Sequence, residues 1–479
     1  MSSKVDCFTR REVLRIGALS VFSSAAVTEG CTAADGYGAA VTADVRSDRL
    51  QPVQGPAEAG HDQRGSAENA CILLFLQGGP SHLDLWDPKP DAPREVRGPF
   101  ESIATRVGGL RFGGTLPKTA AAADKLAVIR SMTHGFNNHI AGTYIMHTGS
   151  ANQPNADREA AAADFPGPGA ALKFVVTGFS RSRDRLKPAT TNVPVSVSLP
   201  NWLSIPGPSN RMPGQFGGFL GSQHDPFLIQ GNPAKPDFKP LSLTLPGDVS
   251  ASRLRARGNL LAQLDRGVRR LENNATRSRD HNYETAMTLL TDHRLRDALD
   301  LRREKAAVRD MYGRNRFGQS LLLARRLVEA GVRYVAFNEF NQSWDHHSAV
   351  EKHLKECVPA MDQGFSALLA DLEQRGMLKR TLVIGTGEFG RKPKMNADGG
   401  RDHWPHAYST LLAGGGIRGG QVYGRSDSRG AYVADKPVRP VDLLATMWTA
   451  LGIDPATELH DRTNRPHPLA RGQVLTSLF

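Results

Sequence analysis

Cys71-Ile72-Leu73-Leu74-Phe75-Leu76 is an unbroken apolar run, and Gln77-Gly78-Gly79-Pro80 ends it. A short run with no polar alternation, closed by glycine and proline, predicts a strand buried on both faces of a parallel sheet. Leu126-Ala-Val-Ile129, Val332-Arg-Tyr-Val-Ala-Phe337, Thr381-Leu-Val-Ile-Gly-Thr386 and Tyr408 to Leu412 repeat the pattern further along. Between them, Val350, Leu354, Cys357, Val358, Met361, Phe365, Leu368, Leu369 and Leu372 recur at helical spacing. Val441 to Leu451 reads as a closing helix, and residues 250–330 are helical in composition. Strands separated by crossover helices predict an α/β fold with a doubly wound, mostly parallel sheet. The Pro/Gly-rich stretch around 152–247 reads as an irregular insertion beside it, with short apolar pieces such as Val193 to Leu199. No fixed-period repeat is present.

Upstream, Thr9-Arg10-Arg11-Glu12-Val13-Leu14 leads into an uncharged, mildly apolar run from Ile16 to Val27. Paired arginines feeding a short apolar run predict a twin-arginine export signal over 1–34. The run is shorter than the roughly 20 apolar residues of a stable bilayer span. An amphipathic cytosolic helix is disfavoured by the small residues of the run, and lipid attachment at Cys31 by Glu29 before Gly30. Residues 35–68, rich in Ala, Gly, Asp and Gln, read as a disordered tether, so the folded domain is expected over 69–479. The expected location is periplasmic or extracellular, with the membrane involved only through the signal.

The formal net charge is +12, with clusters at Arg181 to Lys187, Arg253 to Arg257 and Arg302 to Lys305. No basic block is interleaved with aromatics, which argues against nucleic acid and for anionic small-molecule or polysaccharide esters as partners. Of four cysteines, Cys7 and Cys31 lie in or beside the leader, and Cys71 and Cys357 are expected as buried free thiols.

Ligands of parallel α/β sheets bind beyond the carboxyl ends of the strands, where loops converge on a rigid edge. The first such loop holds Ser81, His82, Asp84 and Asp87, the next Asp345, His346 and His347, and the third Glu388, Arg391, Asp402, His403 and His406. Each brings a carboxylate and a histidine, the ligand mixture of zinc or manganese rather than calcium or magnesium. The competing reading of any one of them is a loop cap or solvated side chain. His61, His224, His293, His353 and His460 lack this placement and are read as surface or structural residues, as Asp362 is read as a structural hydrogen-bonding partner.

The string Leu76-Gln-Gly-Gly-Pro-Ser-His-Leu-Asp-Leu-Trp-Asp-Pro-Lys-Pro90, with Trp344-Asp-His-His347, Gly387-Glu-Phe-Gly-Arg391 and Gly400-Arg-Asp-His-Trp-Pro405, resembles the secreted DUF1501 family. That family resembles, more distantly, the alkaline phosphatase and sulfatase superfamily. The resemblance implies an alkaline-phosphatase-like α/β/α sandwich with metal ions at the carboxyl edge. It implies Asp345 and His347 as ligands of one metal, Glu388 in the place of an Asp-His-Gly aspartate, His403 as a late histidine ligand, and Asp84, or else His82, as the carboxyl-edge ligand after the first strand. Phe389 departs from the pattern, standing where a ligating histidine is usual.

Sulfatases of this superfamily carry a modified Cys or Ser ten residues before a Thr-Gly pair's glycine. Here the pair is Thr148-Gly149, which puts His139 at that position and Gly142-Thr143 where Ser-Arg would stand. The modified-cysteine signature is absent. His139 is left with four readings: metal ligand, general base, transient phosphohistidine, or a helix-capping residue beside Asn137 and Asn138. Asn138 and Thr143 are secondary candidates. Arg391 is expected to neutralise substrate charge, its alternative being a surface salt bridge. Together these predict an exported metal-dependent hydrolase of phosphate or sulfate esters; the alternatives are a non-catalytic extracytoplasmic binding or assembly protein and a phosphomutase-like isomerase.

Overall fold

In the computed structural model, Ala70–Leu76 (β1) is buried at every residue and lies between two parallel neighbours, Tyr334–Glu339 (β5) and Thr381–Thr386 (β6). Its side chains alternate between two cores, as the two-residue period of a strand requires. Ile72, Leu74 and Leu76 join one apolar cluster, whereas Cys71, Leu73 and Phe75 join the other. The structure describes residues 69–152, 157–178, 193–204, 211–238, 253, 256, 293–339 and 343–479. The export signal and tether expected over 1–34 and 35–68 lie outside them. Among the described residues no helix is long and apolar enough to cross a membrane.

The remaining strands of the eight-stranded sheet are Ala127–Met132 (β2), Ser196–Leu199 (β3), Phe227–Leu228 (β4), Tyr408–Ala413 (β9) and Gln421–Tyr423 (β10). The order is β10-β2-β9-β6-β1-β5-β3-β4. Only β9 runs against its neighbours. The stretch expected as an irregular insertion supplies β3, β4 and the helix Pro168–Gly178. Its Pro/Gly-rich composition conceals a four-residue strand that becomes regular by pairing with β5.

One face of the sheet carries Arg316–Glu329 and Val350–Gln374, and the other carries His139–Thr148 (α1) and Pro440–Ala450, which packs against it. The result is a mixed α/β sandwich around a mostly parallel sheet. Each fully buried Leu or Phe in these layers contributes about 1.5–3 kcal/mol relative to exposure. Cys71 is buried and Cys357 half-buried, both as free thiols, and burial pushes Cys357 up to about 12.

Because β1, β2, β5 and β6 are parallel, their carboxyl ends share one edge. A short ribbon of Gly390–Arg391 (β7) and His403–Trp404 (β8) lies between β6 and β9 in sequence.

Candidate metal centre

His139 is the first residue of α1, and the cap is its neighbour. The Asn138 side-chain oxygen accepts from the amides of Ile140 at 2.9 Å and Ala141 at 3.2 Å. The His139 imidazole is free of that task. Its Nδ1 is 2.6 Å from Glu388 Oε1 and its Nε2 3.2 Å from Asp345 Oδ2.

Asp345 follows β5 at a point where the chain after β1 presses closely on it. Gly78 takes φ +117°, and a Cβ there would stand 2.4 Å from the Asp345 amide nitrogen, so glycine is required. The Gly78 amide donates to Glu388 Oε1 at 2.8 Å, while Glu388 Oε2 is buried without a hydrogen-bond partner.

His403 is carried in by the ribbon. Its Nδ1 donates to the Asn137 carbonyl at 2.7 Å, leaving Nε2 3.1 Å from Asp345 Oδ1. His347 Nδ1 faces Asp402 Oδ1 at 3.2 Å, and its Nε2 lies 3.0 Å from His403 Nε2 and 3.0 Å from Asp345 Oδ1.

These partners define the tautomers. A carbonyl only accepts, so His403 carries its hydrogen on Nδ1; Asp402, held below its ordinary range first by the hydrogen bond from His347, accepts from His347 Nδ1 in the same way. With both rings neutral, two bare Nε2 atoms and a carboxylate oxygen point at one another with no hydrogen between them. A cation resolves that repulsion. One donor atom each from His139, Asp345 and His403 lies within 4.8 Å of the others. The 3.0–3.1 Å separations among His347 Nε2, His403 Nε2 and Asp345 Oδ1 are near the roughly 3.3 Å edge of a tetrahedron with bonds of about 2.0–2.1 Å, and His139 Nε2 faces the other oxygen of Asp345, Oδ2, at 3.2 Å. The orphaned Glu388 oxygen adds uncompensated negative charge behind His139. The donor set therefore fits a divalent metal ion.

Without a cation the cluster holds protons instead. Burial pushes His139 down, but hydrogen bonds to Asp345 and Glu388 outweigh it and raise the imidazole to about 9. Burial likewise disfavours the Asp345 carboxylate, yet His139, His403 and the Arg391 charge hold it well below the usual range. His403 is lowered, chiefly by burial.

Of the residues singled out in the sequence, His139, Asp345, His347, Glu388 and His403 come together. Glu388 reaches the group through His139 Nδ1. Asp84 does not share the cluster: it accepts from Arg401 Nε at 2.8 Å and Nη2 at 3.2 Å and from Ser81 Oγ at 2.5 Å, with both charged side chains fully buried. A buried guanidinium claims its two oxygens. His82 donates to the Gly430 carbonyl, and Asp87 pairs with Lys89 and Arg130.

Arg391 is neither a surface ion pair nor open to substrate. It is 1% exposed and donates to the carbonyls of Gly78, Gly79, Trp344 and Arg401 and, at 2.5 Å, to Asp345 Oδ1. Its place is that of a clamp fixing the Asp345 carboxylate. Asp362 accepts from the amides of Lys118 and Thr119, a structural role.

Three contributors escape the motif reading. Phe389 is fully buried with its ring 5.2 Å from His139 and 4.5 Å from His403, an apolar wedge under both imidazoles. Asn137 acts through its carbonyl, for which no residue type is a signal. Arg401 precedes Asp402-His403 in a quoted motif, and that adjacency was the available clue.

The family model described as "Protein of unknown function (DUF1501)" matches residues 68–479. The chain belongs to the DUF1501 family. Among curated proteins no relative matches. Among solved structures this DUF1501 chain is similar to the PsFucS1 sulfatase from Pseudoalteromonas sp., at 10% identity and a TM-score of 0.36, covering 81% of this chain and 69% of that one. It is similar to the lipoteichoic acid synthase LtaP from Listeria monocytogenes at 9% identity and a TM-score of 0.36, covering 83% and 75%. The phosphonate monoester hydrolase of Agrobacterium radiobacter follows at 12% identity and a TM-score of 0.33, covering 86% and 77%.

Proposed function

We propose that this DUF1501 protein is an exported, metal-dependent hydrolase of phosphate or sulfate esters. The observation that carries the reading is the meeting of His347 Nε2, His403 Nε2 and Asp345 Oδ1 at 3.0–3.1 Å. Zinc or manganese held there would supply Lewis acidity toward an ester oxygen. His139, Asp345 and His403 would hold the ion, with His347 as the fourth donor. Glu388 orients His139 through Nδ1, the carboxylate–histidine arrangement that keeps Nε2 aimed at a metal. Arg391 holds Asp345 in register. His347 stands at the mouth with its side chain 47% exposed. The basic balance of +12 suits an anionic ester. The paired arginines Arg10 and Arg11 support a periplasmic or extracellular place of work, reached after folding.

The test is metal content beside turnover. Wild-type protein refolded with zinc or manganese should retain the ion, and His139→Ala, Asp345→Ala and His403→Ala should lose it while remaining folded. Protein that stays metal-free under those conditions, or loaded protein inert on aryl phosphates, aryl sulfates and sugar sulfates alike, defeats the hydrolase reading. The second reading, a non-catalytic binding or assembly protein, is favoured by the complete internal engagement of Arg391, which leaves that guanidinium nothing to offer a substrate anion.

A further inference from the structure

Tyr432 is 55% exposed, the most exposed large apolar side chain among the described residues. It is not a loose surface ring. The Asp427 carboxylate accepts from the amides of Arg429 and Ala431, both at 2.9 Å, and of Tyr432 at 3.1 Å. The Asp427 amide closes the loop on the Tyr432 carbonyl at 2.8 Å. Two further bonds tie this loop to the metal-centre segments: His82 Nε2 donates to the Gly430 carbonyl at 2.8 Å, and Trp404 Nε1 to the Ala431 carbonyl at 2.5 Å.

Trp404 directly follows His403. Successive residues of a strand project to opposite faces, so Trp404 flanks the metal centre rather than lining it. Its ring lies 4.7 Å from His406 and 5.5 Å from Tyr432, with His406 and Tyr432 5.6 Å apart. Three mutually packed rings are thus fixed beside the centre, two half-buried and one exposed.

We propose that Trp404, His406 and Tyr432 form a platform for a pyranose ring, so that the ester processed next door is borne on an oligosaccharide. The word ester rests on the hydrolase reading; the platform does not. Aromatic faces carry negative potential and complement the weakly positive C–H face of a sugar ring. Tyr and Trp offer that area with little rotamer entropy to lose, and a loop already fixed by these six hydrogen bonds loses little more on binding. A protein partner would need about 800 Å² per side, far beyond three rings of which one exceeds a third exposure. Exposed Arg425 and Arg429 near the loop favour an acidic or sulfated saccharide.

The test uses the full chain on an array of neutral, uronic and sulfated oligosaccharides, with and without EDTA, so that recognition is read apart from catalysis. Wild type and Tyr432→Phe should bind at least one class, Tyr432→Ala at least tenfold more weakly, and EDTA should leave the ranking unchanged. Because Tyr432 is exposed, its truncation leaves the core intact. No saccharide bound by wild type, or equal binding by Tyr432→Ala, overturns the platform. Tyr432-dependent binding without ester turnover supports the platform and defeats only the hydrolase reading.

Discussion

Replacing Asp84 with Asn separates two roles that a carboxylate after the first strand can have. In the structure Asp84 and Arg401 are fully buried and joined by two bonds of 2.8 and 3.2 Å. Arg401 also donates to the carbonyls of Val96, Lys392 and Pro393, so the guanidinium cannot follow a lost partner to solvent. Asn keeps the shape and one acceptor but strands a positive charge, and breaking a buried pair in this way costs about 3–5 kcal/mol. The isosteric change should fall near the lower figure. With an unfolding entropy of about 2 cal/mol/K per residue over this domain, 3 kcal/mol corresponds to a fall in Tm of roughly 3–4 °C. The assay is thermal unfolding of the EDTA-treated protein beside metal content at saturating zinc. We expect the Tm to fall and occupancy to match wild type. An apolar double replacement, Asp84→Leu with Arg401→Met, should recover part of the loss. Loss of metal with an unchanged metal-free Tm would refute the clamp and return Asp84 to the ligand set.

Gly78→Ala should lose metal and stability together, because a methyl would sit 2.4 Å from the Asp345 amide at φ +117°; an unfolding midpoint and metal content equal to wild type would contradict the close approach. The metal-free protein should be most stable near pH 6.5. His139, raised to about 9, contributes stability present below its unfolded value and lost as pH rises through 9, whereas His134, His147 and His346, lowered to about 4 by burial, contribute stability lost as pH falls from 6.5 toward 4. Saturating zinc should reverse the alkaline limb, since the ion replaces the His139 proton; a limb identical with and without zinc would show that His139 does not meet the ion. Arg10→Lys with Arg11→Lys should leave folded precursor in the cytoplasm, read by fractionation, and normal export of that variant would remove the twin-arginine assignment.

The strands were legible because burial on both faces demands uninterrupted apolar runs, as in Cys71 to Leu76, and the carboxyl edge followed from their parallel order. Which loop residues meet there was less accessible. A motif places a side chain in a loop without giving its direction, and direction here comes from partners far away in sequence. Asp84 turns to Arg401 across 317 positions, and Arg391 turns inward to Gly78 across 313. His139 resolved the other way, since its capping alternative failed once Asn138 took the cap. Phe389 was visible only as a departure; its wedge position beneath two imidazoles depends on rings brought in from α1 and the ribbon.

The reversed direction of β9 has a consequence for how this edge can change. A parallel neighbour would have required the chain leaving β6 to cross to the opposite edge before pairing again. Running antiparallel, β9 begins where β6 ends, so the segment 387–407 begins and returns at the same rim. Glu388, Arg391, Arg401, Asp402, His403, Trp404 and His406 are all strung along that one return. Two of the five residues of the centre, Glu388 and His403, and much of its flank therefore lie on a single exchangeable cassette, in which lengthening 392–400 would reshape the mouth while every strand keeps its register.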